Sequence, residues 1–153
     1  TEPYAFEVAV ERIEAAAEAA KTLSYDFVLT ARADGVMHGK YDLDEAIRRL
    51  RAFRQAGADV LFAPMPGDMD DVARICREVD GPVSAICAGH FTQNTLAEFA
   101  SAGAARISLG SSLARVTHRA IFDAATAMFG DGDFSPLSHS IDGSKIEKLI
   151  RRG

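Results

Sequence analysis

Four short apolar runs, each stopped by a polar or glycine-bearing loop and followed by a helical pattern, restrict this chain more than any other feature. They are Phe27–Ala31, Val60–Ala63, Val83–Cys87 and Arg106–Leu109. Such runs are too short for helices, and Phe27–Ala31 has no alternation, so it reads as a strand buried on both faces. Strands that alternate with helices specify a parallel sheet with right-handed crossovers. Starts near 27, 60, 83 and 106 give units of the size found in (β/α)₈ barrels. A complete barrel needs about 250 residues, whereas 153 residues carry four units. A helix precedes the first strand, and a four-stranded open sheet leaves two bare edges. The expected fold is therefore α/β, the carboxyl-terminal half of a TIM barrel. Residues 1–130 make up that half, and 131–153 form a tail with a short helix near 144–151 that packs on a partner subunit. The opening residue is Thr1 and not Met, as expected of a processed or incomplete product.

The helices carry their own punctuation. Between Pro3 and Thr22, Ala9, Val10, Ile13, Ala16, Ala17 and Ala20 recur at helical spacing. Asp42 with Glu45 predicts a reciprocal capping box for the next helix, which ends at Gly57, a residue suited to the left-handed stop. Asp68 caps the helix before the third strand, and Ser112–Phe129 is a longer one.

Composition removes several classes of function. A net charge of −5, with no basic cluster off a helix, argues against a nucleic-acid surface. Arg48, Arg49, Arg51 and Arg54 share a helix with acidic residues before it and read as a solvated face. No apolar run approaches a membrane span and no signal peptide is visible. Cys76 and Cys87 have neither metal-like nor secreted-scaffold spacing, so the cytoplasm is the expected compartment.

In a parallel α/β protein, ligands collect at the carboxyl ends of the strands. Arg32 stands there, and a guanidinium fork suits a carboxylate or phosphate. The competing reading is an arginine that pairs with Asp34 and holds its loop. Ser108-Leu-Gly-Ser-Ser112 leads a strand into a helix N-terminus, either an anion site or a glycine turn with a serine cap. Cys87 with His90, and His38, occupy similar loops but read more simply as buried or surface residues. His118 and Arg119 read as packing or interface residues. Asp68, Asp70 and Asp71 fit the first turn of a helix better than a metal site.

Taken together, Val10-Glu-Arg-Ile-Glu-Ala-Ala-Ala17, Phe27-Val-Leu-Thr-Ala-Arg-Ala-Asp34 and Leu43-Asp-Glu-Ala-Ile-Arg-Arg49 resemble the isocitrate lyase/phosphoenolpyruvate mutase superfamily. So do Ala56-Gly-Ala-Asp-Val-Leu-Phe-Ala-Pro64, Gly81-Pro-Val83 and Ala105-Arg-Ile-Ser-Leu-Gly110. The resemblance implies a Mg²⁺-dependent enzyme that acts on small 2-oxo or 2-oxy carboxylates. Such enzymes cleave a C–C bond or move a phosphoryl group between oxygen and carbon. Arg32 is then the catalytic and substrate-binding arginine, with Ser108 and the amides near Gly110 on a remaining substrate oxygen. The Mg²⁺ ligands and a cysteine-bearing gating loop belong to earlier strands, so no metal ligand is expected within these residues. Lyase members carry a glutamate where this chain has Pro64, which points to a mutase-like branch. It also leaves a second expectation, a non-catalytic barrel that binds an anionic carboxylate metabolite. By the same resemblance the expected assembly is a homodimer or homotetramer with a swapped final helix.

Overall fold

All four apolar runs contribute strands, and the strands lie parallel. In the computed structural model, which describes residues 2–151, β1 (Thr30–Arg32), β2 (Val60–Phe62), β3 (Val83–Ile86) and β4 (Arg106–Ser108) form one sheet in sequence order. Each neighbouring pair is parallel. A doubly wound sheet would reverse its order at a switch point; this one does not, as in a barrel wall. Helices α1 (Phe6–Lys21), α2 (Leu43–Gln55), α3 (Met69–Glu78) and α4 (Leu96–Ser101) precede and separate the strands. The fold is α/β, with four of the eight strands of a TIM barrel.

The helices cover one face of the sheet. Ala46, Ile47, Leu50 and Phe53 of α2 pack with Ala31, Leu61 and Val83, and Val72, Phe91 and Phe99 pack around Ala85. Because side chains alternate along a strand, Arg32, Phe62, Ser84 and Arg106 fall on the opposite face. One face of the sheet is thus apolar, and the other mixes the polar Arg32, Ser84 and Arg106 with the buried Phe62.

Local chemistry fixes the helix ends. The Asp42 carboxylate accepts from Glu45 N at 2.9 Å and the Asp68 carboxylate from Asp71 N at 3.0 Å. The reciprocal box expected at Asp42 and Glu45 is only half made. Glu45 turns to Arg48 at 2.6 Å and Arg49 at 2.8 Å, since guanidinium donors outcompete a neutral amide. The complete box is at Thr95, whose backbone N donates to Glu98 Oε2 at 2.6 Å while its hydroxyl accepts from Glu98 N.

The first strand also departs from expectation. Phe27 is 51% exposed and Val28 64%, so the run is not buried on both faces. The ladder begins only at Thr30, and Ala31 alone is buried within β1. The physical reason is position. Strand β1 lies at the edge of the sheet, and the residues before the ladder are tied at Leu29, whose N donates to Asp59 Oδ2 at 2.8 Å and whose carbonyl accepts from Asp59 N and Val60 N at 2.9 and 3.1 Å.

The chain divides into two compact units after Gly110. The second contains α5 (Ser112–Gly130), a 3-10 turn at Ser135–His139 and α6 (Gly143–Ile150). Neither helix buries a residue, and Leu113, Val116, Ile121 and Phe122 of α5 are exposed. The Ser111 side chain makes no cap bond to α5, contrary to the serine-cap reading. Asp142 caps α6 by accepting from Ser144 N at 2.8 Å. Among the described residues no helix is long and apolar enough to cross a membrane.

Candidate functional site

Register places the candidate residues. Arg32 pairs with Phe62, Phe62 with Ser84, and Ser84 with Arg106, so one row crosses all four strands on the face away from the helices. Arg32 ends β1. Its Nε and Nη2 both donate to Asp34 Oδ1, at 3.1 and 2.9 Å, and its guanidinium carbon lies 5.1 Å from the centroid of the Phe62 ring. A guanidinium carries five N–H donors. Asp34 engages Nε and Nη2, along one side, and the edge formed by Nη1 and Nη2 retains unspent donors. The side chains of Arg32 and Asp34 are 50% and 44% exposed, so a ligand can reach that edge. The pairing with Asp34 expected of Arg32 is made and orients the cation, and the remaining edge of the guanidinium is accessible.

The loop behind Asp34 is held by packing. Gly35 lies so close to Tyr41 that an added Cβ would come within 2.0 Å of Tyr41 Cε1. Burial pushes the Tyr41 phenol above its ordinary range, opposed by a hydrogen bond with the Gly35 backbone and by the Arg49 charge. Arg49 stands 5.1 Å from the Tyr41 ring and is itself buried, bonded to Glu45 and to the Tyr4 carbonyl at 3.0 Å. His38 is exposed on this loop.

Ser108 and Gly110 share the sheet's far edge. Ser108 pairs with Ile86, two residues along β4 from Arg106, and its hydroxyl donates to the Ala85 carbonyl at 3.1 Å. That hydroxyl keeps its lone pairs, but its proton is spent on the backbone. Gly110 has φ of +52°, and a Cβ there would sit 3.3 Å from Ile86 Cδ1. Arg32 and Ser108 therefore share a face but stand three strands apart, about 14 Å across at the usual strand spacing. They do not form one tight cluster.

At the carboxyl end of β2, Pro64 is fully buried, and Met65 adopts φ of +52°. A left-handed conformation costs a non-glycine residue about 1–2 kcal/mol. Its Cε packs where a Gly89 Cβ would lie, 2.8 Å away, which joins the loops after β2 and β3. Beyond β3, the Cys87 thiol lies 3.6 Å from the Phe91 carbonyl, and the exposed His90 ring stacks 4.2 Å from Phe91. Asp68 and Asp71 spend carboxylate oxygens on backbone amides at the start of α3. Among the described residues no group of three or more His, Cys, Asp or Glu side chains could hold a metal ion. These residues do not fit a Mg²⁺ centre.

Sequence reasoning missed Arg106. Its Nη1 donates to the Ser84 hydroxyl at 3.1 Å, and Ser84 is 1% exposed. Residue 106 opened a strand in the sequence reading and so escaped notice. Two-residue spacing from Ser108 was the signal that it faces the same way.

Comparison with known proteins gives consistent results. Residues 1–129 match the family model for phosphoenolpyruvate phosphomutase. A crystal structure assigned as a lyase/mutase from Burkholderia cenocepacia J2315 is 41% identical with a TM-score of 0.90, over 96% of this chain and 53% of that one. The crystal structure of 2,3-dimethylmalate lyase, a PEP mutase/isocitrate lyase superfamily member, is 25% identical with a TM-score of 0.73. It aligns over 91% of this chain and 48% of its own. Petal death protein of Dianthus caryophyllus is 34% identical over 56 residues, 37% of this chain and 17% of that protein. The chain spans about half the length of these solved relatives and a smaller share of the plant protein.

Proposed function

Because the chain belongs to the phosphoenolpyruvate phosphomutase family, we propose that it is part of a lyase or mutase acting on small 2-oxo or 2-oxy carboxylates, with Arg32 gripping one anionic end of the substrate. The observation that carries this reading is the Arg32 guanidinium, held by Asp34 along one side and seated over Phe62, with an accessible edge at the end of β1.

A cation fixed in this way acts twice. It sets the substrate's orientation before reaction, which removes part of the entropic barrier. It also opposes negative charge that builds when a C–C or P–C bond beside a carbonyl breaks, and a preorganised charge does this without reorganising. Asp34 tempers the charge but fixes the geometry. Ser108 and the backbone near Gly110 line the far edge of the same face, about 14 Å from Arg32, and the Ser108 proton is spent on the Ala85 carbonyl, so the proposed grip on a small acid rests on Arg32. A second reading, a barrel that binds an anionic metabolite without turning it over, draws on Pro64, a buried side chain at the end of β2 with no acid or base to offer.

The test uses the protein expressed from its complete reading frame, assayed with Mg²⁺ and a panel of oxaloacetate-like, isocitrate-like and phosphonopyruvate-like acids. Losing one charge-assisted contact costs about 1.5–3 kcal/mol, or roughly ten- to a hundredfold in kcat/KM. Arg32→Ala should lose that much, and Arg32→Lys should also be impaired because it keeps charge but not the planar fork. Unaltered turnover in Arg32→Ala would make the residue structural. Tight binding of a panel member with no turnover would favour the binding-only barrel.

A further inference from the structure

We infer that Arg106 is a specificity-determining residue, a second cation that selects substrates carrying a further anionic group at the end away from Arg32. The inference rests on the reading above and extends it to the class of substrate. Three observations support it.

The first is placement. Arg106 occupies the same cross-strand row as Arg32, on the face that the helices leave open. The guanidinium of Arg32 sits over Phe62, and that of Arg106 reaches the Ser84 hydroxyl. Phe62 and Ser84 are register partners on neighbouring strands, about 4.8 Å apart. The two arginines at the outer strands therefore lean toward each other over the two middle ones.

The second is unspent charge. Among the described residues Arg106 has no carboxylate partner, a state it shares with Arg12, Arg54, Arg77 and Arg115, but of the two arginines on the sheet Arg32 is paired and Arg106 is not. Its bond to Ser84 uses one of five donors on a neutral acceptor. Ser84 is itself buried, so it fixes the direction of the guanidinium without neutralising it.

The third is depth. Arg32 closes β1 but Arg106 opens β4, and strands in such a barrel tilt by about 36°. A row perpendicular to tilted strands slopes along the barrel, which puts Arg106 deeper than Arg32. The two cations thus address opposite ends of one ligand. A dicarboxylate or phosphonocarboxylate satisfies both, and a monocarboxylate satisfies only one.

The experiment compares wild type, Arg106→Met and Arg32→Ala, from the complete reading frame, on matched pairs of acids: a 2-oxo dicarboxylate and its distal methyl ester, and phosphonopyruvate and pyruvate. Turnover and calorimetric binding are both measured, so a ligand that binds without reacting is still informative. Arg106→Met should raise KM or Kd for the dianionic member by roughly ten- to a hundredfold and leave its monoanionic partner within about twofold. Arg32→Ala should weaken both members. Equal weakening of both members by Arg106→Met, or a fall in thermal stability with selectivity unchanged, would overturn the inference and make Arg106 a structural cation. If Arg106→Met does not fold, Arg106→Lys and Ser84→Ala carry the same comparison: each should narrow the preference for the dianion, and an unchanged preference in both refutes the role. Failure of the underlying reading looks different, since Arg32→Ala would then leave every acid unaffected.

Discussion

Replacing Gly35 by alanine tests whether the loop that carries Asp34 is held by the Tyr41 ring. The added Cβ would lie 2.0, 2.2 and 2.3 Å from three ring carbons. Non-bonded carbons rest about 3.5–4.0 Å apart, so the overlap is at least about 1.2 Å on each and cannot be relieved by a small shift. The ring has little freedom to move away. It faces the Arg49 guanidinium at 5.1 Å, and Arg49 is tied to Glu45 and to the Tyr4 carbonyl. Overpacking of this kind costs about 1–3 kcal/mol. For a domain of this size that lowers Tm by roughly 2–12 °C. Thermal unfolding of Gly35→Ala, Tyr41→Ala and the double variant completes a cycle that isolates the contact. With the ring removed, the glycine substitution should cost much less than it does in the wild-type background. Equal costs in the two backgrounds would show that the loop does not depend on this contact, as would a Gly35→Ala protein as stable as wild type.

Phe99 is 1% exposed beside Phe91, 6.3 Å between ring centroids; Phe99→Ala should cost about 3–5 kcal/mol by denaturant unfolding, far above the effect of an exposed residue such as Leu96. The Arg48 hydrogen bond, aided by Arg49, holds the Glu45 carboxyl below the usual carboxylate range against the effect of burial. A lowered folded pKa means stability present above the unfolded value, about 4.3, and lost as pH falls through the folded one. Urea unfolding of Glu45→Gln across that window should accordingly show a shallower acid decline than wild type.

How much of this could be read in the sequence depended on the length of the signal. Helices announce themselves over several turns, so α2 and α3 and the caps at Asp42 and Asp68 were legible. The family resemblance rested on segment order and placed the chain correctly. Strands of three or four residues are harder. Phe27 and Val28 are apolar enough to pass for buried strand, yet they precede the ladder at a sheet edge. The side chain that Glu45 would choose depended on Arg48 and Arg49 competing for it, which no capping motif encodes. Arg32 was legible as a cation at a strand end, but not the division of its donors between Asp34 and an open edge. Arg106 was invisible for a different reason. Its importance comes from cross-strand register, a relation between residues 32, 62, 84 and 106 that no local window contains.

That register has a genetic consequence. In this numbering the residues that face the helices are odd, namely 31, 61, 83, 85 and 107, and the row bearing the arginines is even, at 32, 62, 84 and 106. Within the sheet, adjacent codons therefore answer to different selection. A change at an odd position registers as lost protein, through abundance and turnover in the cell. At the even positions the outcome divides: Phe62 and Ser84 are themselves buried and answer for stability too, whereas Arg32 and Arg106 are exposed and answer for the recognition proposed above. New specificities of the proposed kind can accumulate at the two exposed arginine codons while the buried positions continue to hold the wall together.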